Sequence, residues 1–335
     1  MNTSIAIFTL AELEAAAEQV HRAVAPTPQY AWPKLAARTG CEVWVKHENH
    51  TPTGAFKIRG GLIYMDRLAR SGRGSRGVIS ATRGNHGQSI AFSAARAGIA
   101  ATIYVPHGNS ADQNSAMRAF GATVVEFGRD FDEARVEAAK VAAQRDLHFI
   151  PSFHYDLVQG VASYALELFH AVHGLDVVYV PIGMGSGICG LITVRDVLGL
   201  PTEIIGVVAR NAPAMALSFD AGTPVPTSSA ATFADGIATR EPQRAAFDII
   251  KRGAARIVQV SEDQLAEAVR SYFDDTHQVV EGAGAAPLAA LLQERPRYVG
   301  KKVGLILTGG NIERARFQCL LDGGTPPVVS QTAAL

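Results

Sequence analysis

The chain has 335 residues, of which 47% are hydrophobic and 19% are charged. This composition is typical of a globular protein with a large core, and the length favours two domains. Basic and acidic residues number 31 each, so the zero net charge gives no indication of a nucleic-acid or membrane partner. Three widely spaced cysteines fit neither a disulfide framework nor a zinc site, and no signal peptide is evident, so we expect a cytoplasmic protein.

Apolar strands and helices are predicted to alternate along the chain. Thr9 and Glu12 form a capping-box pattern that predicts a first helix over 10–24. The β-α order that follows, with strands apolar on both sides, predicts an α/β fold with parallel-rich sheets flanked by helices. The predicted strands are 42–47, 77–80, 101–105, 122–127, 176–180 and 302–307, and the helices between them are 86–97, 111–120, 132–144 and 188–197.

Lys57 is the most informative residue of the sequence. It lies in the run TGAFKIRG at 53–60, after the predicted strand 42–47, and it opens a predicted helix. The carboxyl end of a strand is where α/β sheets usually build their site. Neighbours can desolvate a lysine there, which lowers its pKa and makes it a nucleophilic amine able to form a Schiff base. The alternative, a solvated lysine at a helix start, would suit a lone lysine.

The glycine-rich run Gly183-Met184-Gly185-Ser186-Gly187 lies between an apolar strand and a predicted helix. Glycines let backbone N–H groups approach an anion, and a helix N-terminus adds partial positive charge, so the run is predicted to bind a phosphate. Residues 185–190 also read GxGxxG, which leaves a nucleotide-dependent oxidoreductase as an alternative. That alternative expects an acidic residue after the next strand, where this chain has Arg210.

Five motifs follow one another along the chain: TGAFKIRG at 53–60, TRGNHG at 82–87, PIGMGSG at 181–187, ADGIA at 234–238 and LTGGN at 307–311. In this order they resemble the fold-type II, tryptophan synthase β-like family of pyridoxal 5′-phosphate (PLP) enzymes, in its threonine/serine dehydratase and serine racemase branch. The resemblance implies PLP in a cleft between two domains with twisted sheets, and a homodimer. It divides the chain into a large PLP-binding domain, 1–76 plus 153–335, and a small domain inserted in it, 77–152.

The same resemblance implies roles for single residues in the cofactor site. Lys57 would hold PLP and act as general base, and Phe56 would stack against the ring. Asn85 would bind the 3′-oxygen and Thr308 the pyridine nitrogen. Since a hydroxyl leaves that nitrogen unprotonated, the ring is a weaker electron sink, which favours prompt β-elimination. Gly183, Met184, Gly185, Ser186 and Gly187 would bind the phosphate.

The loop of Thr82, Arg83, Gly84 and His86 is predicted to bind an amino acid substrate. Arg83 departs from the resembled family, whose serine racemases carry there a serine that acts as a second base. Arginine is a poor proton acceptor, so racemisation is disfavoured. It suits a carboxylate instead, and we hypothesise that Arg83 binds a second substrate carboxylate. The alternative is that it points outward or pairs with a protein acid.

The leading hypothesis is a PLP-dependent ammonia-lyase, or dehydratase. It would convert an L-β-hydroxy amino acid such as threonine or serine into a 2-oxo acid and ammonia by α,β-elimination. A 3-hydroxyaspartate or phenylserine dehydratase of the same mechanism is one alternative, and β-replacement is another. No metal is expected, because residues 207–214, where some family members bind a cation, contain no carboxylate.

Overall fold

The computed structural model describes residues 7–74 and 76–328 and has an α/β architecture. The predicted strands at 42–47, 101–105 and 302–307 have the expected bounds. The ten strands in the described residues are Gln29–Ala31 (β1), Glu42–His47 (β2), Val78–Ala81 (β3), Ala101–Val105 (β4), Thr123–Glu126 (β5), His148–Phe149 (β6), Val177–Pro181 (β7), Glu203–Ala209 (β8), Arg256–Val260 (β9) and Lys302–Leu307 (β10).

Helices lie between most of these strands. The predicted capping box of the first helix is present, since the Thr9 hydroxyl accepts from the Glu12 N–H and the Glu12 carboxylate accepts from the Thr9 N–H. The described helices are Leu10–His21 (α1), Pro33–Thr39 (α2), Lys57–Arg70 (α3), Asn85–Arg96 (α4), Ala111–Ala119 (α5), Phe131–Arg145 (α6), Tyr155–Ala171 (α7), Ser186–Val197 (α8), Ala214–Ala221 (α9), Arg244–Gly253 (α10), Glu262–Thr276 (α11), Gly282–Gln293 (α12), Arg295–Tyr298 (α13) and Arg314–Leu321 (α14).

The strands form two sheets. The larger sheet has the order β1-β2-β10-β7-β8-β9 and is parallel except for β1, which pairs antiparallel with β2. The smaller sheet has the order β5-β4-β3-β6 and is parallel throughout. Its strands lie between Val78 and Phe149, inside the segment predicted as the small domain. The domain limits themselves stay a prediction, and they include residues 1–6 and 329–335, which lie outside the described residues.

Both faces of the larger sheet are buried, as its apolar strands predict. In β7, Val177 and Tyr179 pack into one hydrophobic cluster with side chains of α11 and α12. Val178 and Val180 pack into another with side chains of α7 and α8. Successive strand residues point to opposite faces, so a strand covered on both sides is apolar at every position. Within residues 7–74 and 76–328, no helix is both long and apolar enough to cross a membrane.

Candidate active site

A cavity of about 710 Å³ is lined by residues that follow strands of both sheets. Residues that follow the carboxyl ends of β3, β4, β7 and β10 line it, because parallel strands of one sheet end at the same edge. Its volume falls in the range of small-molecule sites. Every residue predicted for the site lines this cavity: Phe56, Lys57, Thr82, Arg83, Gly84, Asn85, His86, Gly183, Met184, Gly185, Ser186, Gly187 and Thr308.

Lys57 begins α3 at the cavity wall, and the end of β10 positions it. The backbone N–H of Phe56 donates to the Thr308 carbonyl at 3.0 Å, and Ala55 forms an antiparallel bridge with Gly309. The Lys57 Nζ is 3.2 Å from Ser186 Oγ. Burial lowers the pKa of Lys57 to about 8, while the nearby Glu281 opposes the shift. Roughly a tenth of the amine is therefore uncharged at pH 7, far more than for a lysine with the ordinary pKa, as a nucleophile or base requires.

A set of buried charges lies behind the first turn of α3. We call Lys46, Glu48, Arg59 and Glu167 the buried charge network. Arg59 Nε donates to Glu48 at 2.7 Å and Arg59 Nη1 to Glu167 at 2.6 Å, and Lys46 Nζ also donates to Glu167. Two cations thus meet two carboxylates, as buried charges require. The pairing fixes Arg59, two residues beyond Lys57. The sequence motif at 53–60 includes Arg59, but no role was predicted for it.

The glycine-rich run connects β7 to the N-terminus of α8. A Cβ at Gly183 would lie 2.3 Å from the Gly236 carbonyl oxygen, and one at Gly185 would lie 2.8 Å from the Cβ of Ala246. Gly185 also has φ +99°, which side-chain-bearing residues rarely adopt. Both positions therefore require glycine. The backbone comes close to the cavity here, and the first N–H groups of a helix lack intrahelical partners, which suits a phosphate.

Asn85 is held by two side chains that are distant in sequence. Its Nδ2 donates to both carboxylate oxygens of Glu281, at 2.8 and 3.1 Å. Its Oδ1 accepts from Asn311 Nδ2 at 2.8 Å, which in turn donates to the Thr53 carbonyl. Burial raises the pKa of Glu281 to about 7, although the Asn85 hydrogen bond lowers it. Sequence reasoning left the role of Glu281 open; the available signal was a carboxylate directly before the small, apolar run GAGAAP.

The loop after β3 carries two buried nitrogen atoms without a hydrogen-bond partner among the described residues, Arg83 Nε and His86 Nε2. Burial is the main cause that lowers the pKa of His86 to about 3, so this imidazole is neutral. The positive charge of the loop therefore resides on Arg83. Thr82 Oγ1 accepts from the Gly84 N–H at 3.2 Å and shapes the turn into α4. Buried polar atoms without partners in the protein indicate a ligand site.

Phe56 and Thr308 complete the set of predicted residues. The Phe56 ring packs edge-on against Tyr164, with centroids 6.2 Å apart, and the Lys57 Nζ is 4.9 Å from the Phe56 ring centroid. Thr308 is the first residue after β10 and is 4% exposed. Within the described residues, no group of three or more His, Cys, Asp or Glu side chains could hold a metal ion.

Comparison with known proteins gives concordant matches. Residues 20–309 match the family model described as pyridoxal-phosphate dependent enzyme. The chain is 36% identical to the L-threonine ammonia-lyase of Geobacter sulfurreducens, over 87% of this chain and 72% of the relative. It is 33% identical to the L-threo-3-hydroxyaspartate ammonia-lyase of a Pseudomonas species, over 92% and 97% respectively. The solved processed form of threonine deaminase isoform 2 from Solanum lycopersicum superposes with a TM-score of 0.87, at 27% identity over 94% of both chains.

Proposed function

This chain belongs to the pyridoxal-phosphate dependent enzyme family, and we propose that it converts an L-β-hydroxy amino acid into a 2-oxo acid and ammonia. Water leaves in the α,β-elimination, and a water molecule is taken up again when the resulting enamine is hydrolysed and releases ammonia. The predicted family, the tryptophan synthase β-like fold and the cofactor PLP are confirmed by the family match and the threonine deaminase structure. The predicted class, a PLP-dependent ammonia-lyase, is confirmed by relatives that carry that name. Threonine, serine or a relative of them is the proposed substrate.

The residues at the cavity fit PLP. The run 183–187 has no room for side chains at two positions and ends at a helix N-terminus, as a phosphate site requires. Lys57 supplies an amine with a lowered pKa that would hold the cofactor. Asn85 and Thr308 offer hydrogen-bonding groups for the edge of a ring. When bound, PLP supplies an electron sink for the charge left at Cα after proton removal.

Lys57 is the proposed general base that removes the Cα proton. An amine with a pKa of about 8 is partly unprotonated at neutral pH and still basic enough to accept a proton. Ser186 contacts its Nζ and restricts where the amine can lie. Thr308, with a hydroxyl rather than a carboxylate, is the proposed partner of the ring nitrogen. A hydroxyl does not protonate that nitrogen, which supports elimination over reactions that need a long-lived carbanion.

The proposed substrate position is the start of α4. The backbone N–H groups of this helix N-terminus and the Thr82 hydroxyl are suitable donors for the α-carboxylate. His86 is neutral and buried, with a free Nε2, and it can hydrogen-bond a polar substituent without adding charge. These assignments would use the hydroxyl hydrogen of Thr82 and the Nε2 atom of His86, which has no hydrogen-bond partner among the described residues.

The oxidoreductase alternative is overturned by the family match. The structure also gives the GxGxxG run another explanation. Gly185 makes the turn into α8, and a Cβ at Gly190 would lie 3.2 Å from the backbone of Ala162 in α7. The third glycine therefore allows α7 and α8 to pack closely. β-Replacement remains the second candidate within the PLP enzymes. It would be revealed if an added thiol or amine led to a new β-substituted amino acid and less 2-oxo acid were released.

The observation that carries the proposal is the Lys57 amine, with its lowered pKa, at a cavity shared with the glycine-rich run. The test is Lys57→Ala, with Lys140→Ala, an exposed lysine on α6, as control. We expect the wild type and the control to show a visible absorption band with PLP and to release a 2-oxo acid. Lys57→Ala should lose the band and at least about 10³-fold in turnover. Turnover that survives in Lys57→Ala would refute the assignment of the base.

Two finer expectations stay predictions. The homodimer is proposed because the resembled family forms one, and light scattering at several protein concentrations would test it. The cytoplasmic location is proposed from cysteine usage, and fractionation of the source cells would test it.

A further inference from the structure

Arg83 differs from the other arginines at the cavity wall. Arg129 pairs with Glu133, and Arg316 pairs with Asp235. The side chain of Arg83 makes no hydrogen bond or ion pair with any described residue, and its Nε is buried without a partner. The ion-paired alternative for Arg83 therefore does not hold among the described residues, and the buried Nε at the cavity wall argues against a side chain that points outward.

The carboxylates at the cavity are already engaged. Asp130 accepts from the Glu133 backbone N–H at 2.9 Å, and Glu281 accepts from Asn85. Asp235 and Glu313 both pair with Arg316. None of these acids pairs with Arg83 in the described residues, so its guanidinium donors remain available to an anionic ligand group. The planar guanidinium with several N–H donors suits a carboxylate bound through two hydrogen bonds.

We propose that Arg83 binds a second carboxylate of the substrate, so that the preferred substrate class is β-hydroxy amino dicarboxylates, of which 3-hydroxyaspartate is the smallest. This inference rests on the proposed elimination and names its substrate. The α-carboxylate already has donors at the start of α4, and His86 is neutral. Arg83 is therefore the one side-chain cation of this loop that can distinguish a dicarboxylate from threonine or serine.

Two rival roles for Arg83 give different results. If Arg83 bound the α-carboxylate, its loss would weaken every amino acid substrate equally. If it bound the cofactor phosphate, its loss would weaken PLP binding and leave substrate preference unchanged. If Arg83 sets specificity, its loss changes the ratio of kcat/KM for a dicarboxylate to kcat/KM for a neutral substrate.

The first experiment measures that ratio as kcat/KM for L-threo- or L-erythro-3-hydroxyaspartate over kcat/KM for L-serine. We expect the ratio to exceed one in the wild type and to fall about 10- to 100-fold in Arg83→Gln, the size of one charge-assisted pair. In Arg83→Lys, which keeps the charge but loses the paired N–H donors of the guanidinium, the ratio should fall less. Arg129→Gln removes a paired arginine from the same wall and is the matched control. An unchanged ratio in Arg83→Gln would overturn the proposal.

The second experiment does not depend on turnover. L-Aspartate and L-asparagine have the same shape and lack the β-hydroxyl, so calorimetric titration of the PLP-loaded protein measures the effect of the second charge alone. We expect the wild type to bind aspartate at least about tenfold more tightly than asparagine, and Arg83→Gln to lose that preference. Equal binding by the wild type would refute the second-carboxylate site. Aspartate preference without turnover of any β-hydroxy amino acid would uphold the site and refute the elimination.

Discussion

Arg59 and Arg83 are two arginines beside one site with opposite surroundings. Arg59 is fully buried and donates to Glu48, Glu167 and Ser163. Arg83 is half-buried at the cavity and has no protein partner among the described residues. The first arginine belongs to a closed network that fixes α3, whereas the second keeps its donors free. An arginine with all its donors paired therefore supports the fold, whereas one with free donors at a cavity is available to a ligand.

The strongest way to break this comparison is to remove each arginine in turn. Arg59→Met leaves Glu48 and Glu167 buried with too few cations, so we expect the free energy of unfolding to fall by roughly 3–5 kcal/mol. Arg83→Met removes a charge that no described protein group balances, so its change should stay within about 0.5 kcal/mol. Urea unfolding of the protein without PLP measures both. Similar losses for the two variants would contradict the distinction.

Glu281 offers a second contrast, since it is a partly buried carboxylate paired with an amide instead of a cation. Burial raises its pKa from the ordinary 4.5 of a glutamate to about 7, so its protonated form is favoured in the folded state. The corresponding stability is fully present below pH 4.5 and is lost as the pH rises through 7. Glu281→Gln removes this dependence. From pH 5 to 7.5 the wild type should therefore lose roughly 1–3 kcal/mol relative to the variant.

Urea unfolding without PLP at both pH values checks the Glu281 prediction, with Glu313→Gln as a carboxylate control at the same cavity. The pH dependence of turnover is a second readout, because Glu281 also faces Lys57 and Asp235. We expect Glu281→Gln to shift the acidic limb of the kcat profile. If wild type and variant keep a constant stability difference across this pH range, Glu281 does not titrate there.

The smallest expected effect concerns the glycine-rich run. Gly185 and Gly222 both have positive φ, but only Gly185 has a neighbour, the Cβ of Ala246, within 3 Å of an added Cβ. Gly222→Ala should cost about 1 kcal/mol in stability and leave the Kd for PLP unchanged. Gly185→Ala has to move the backbone at the cavity, so its Kd for PLP should rise at least about tenfold. Fluorescence titration with PLP measures both, and equal values of Kd would argue against a phosphate site at this run.

Much of the fold and of the candidate site follows from local sequence signals. The strands β4 and β10 are apolar at most positions, β2 carries the apolar run VWV, and all three have their predicted bounds. Motifs directly after such strands meet in one cavity because parallel strands end at a common edge. The short strands β1 and β6 went unpredicted, since three and two residues are too few to show a period.

The order of residues sets which side chains stand at the strand ends: a lysine, a glycine-rich run, and a loop with an arginine in an unusual position. Which of these side chains find partners depends on how the chain folds in space. Glu281 meets Asn85 across 196 positions of the chain, and Arg59 meets Glu167 across 108. The local secondary-structure propensity of a residue contains no information about contacts so distant in the sequence. The folded arrangement therefore determines whether a charged group pairs with another protein group or remains available to a ligand. Pairing depends on position in space, and desolvation makes an unpaired charge costly.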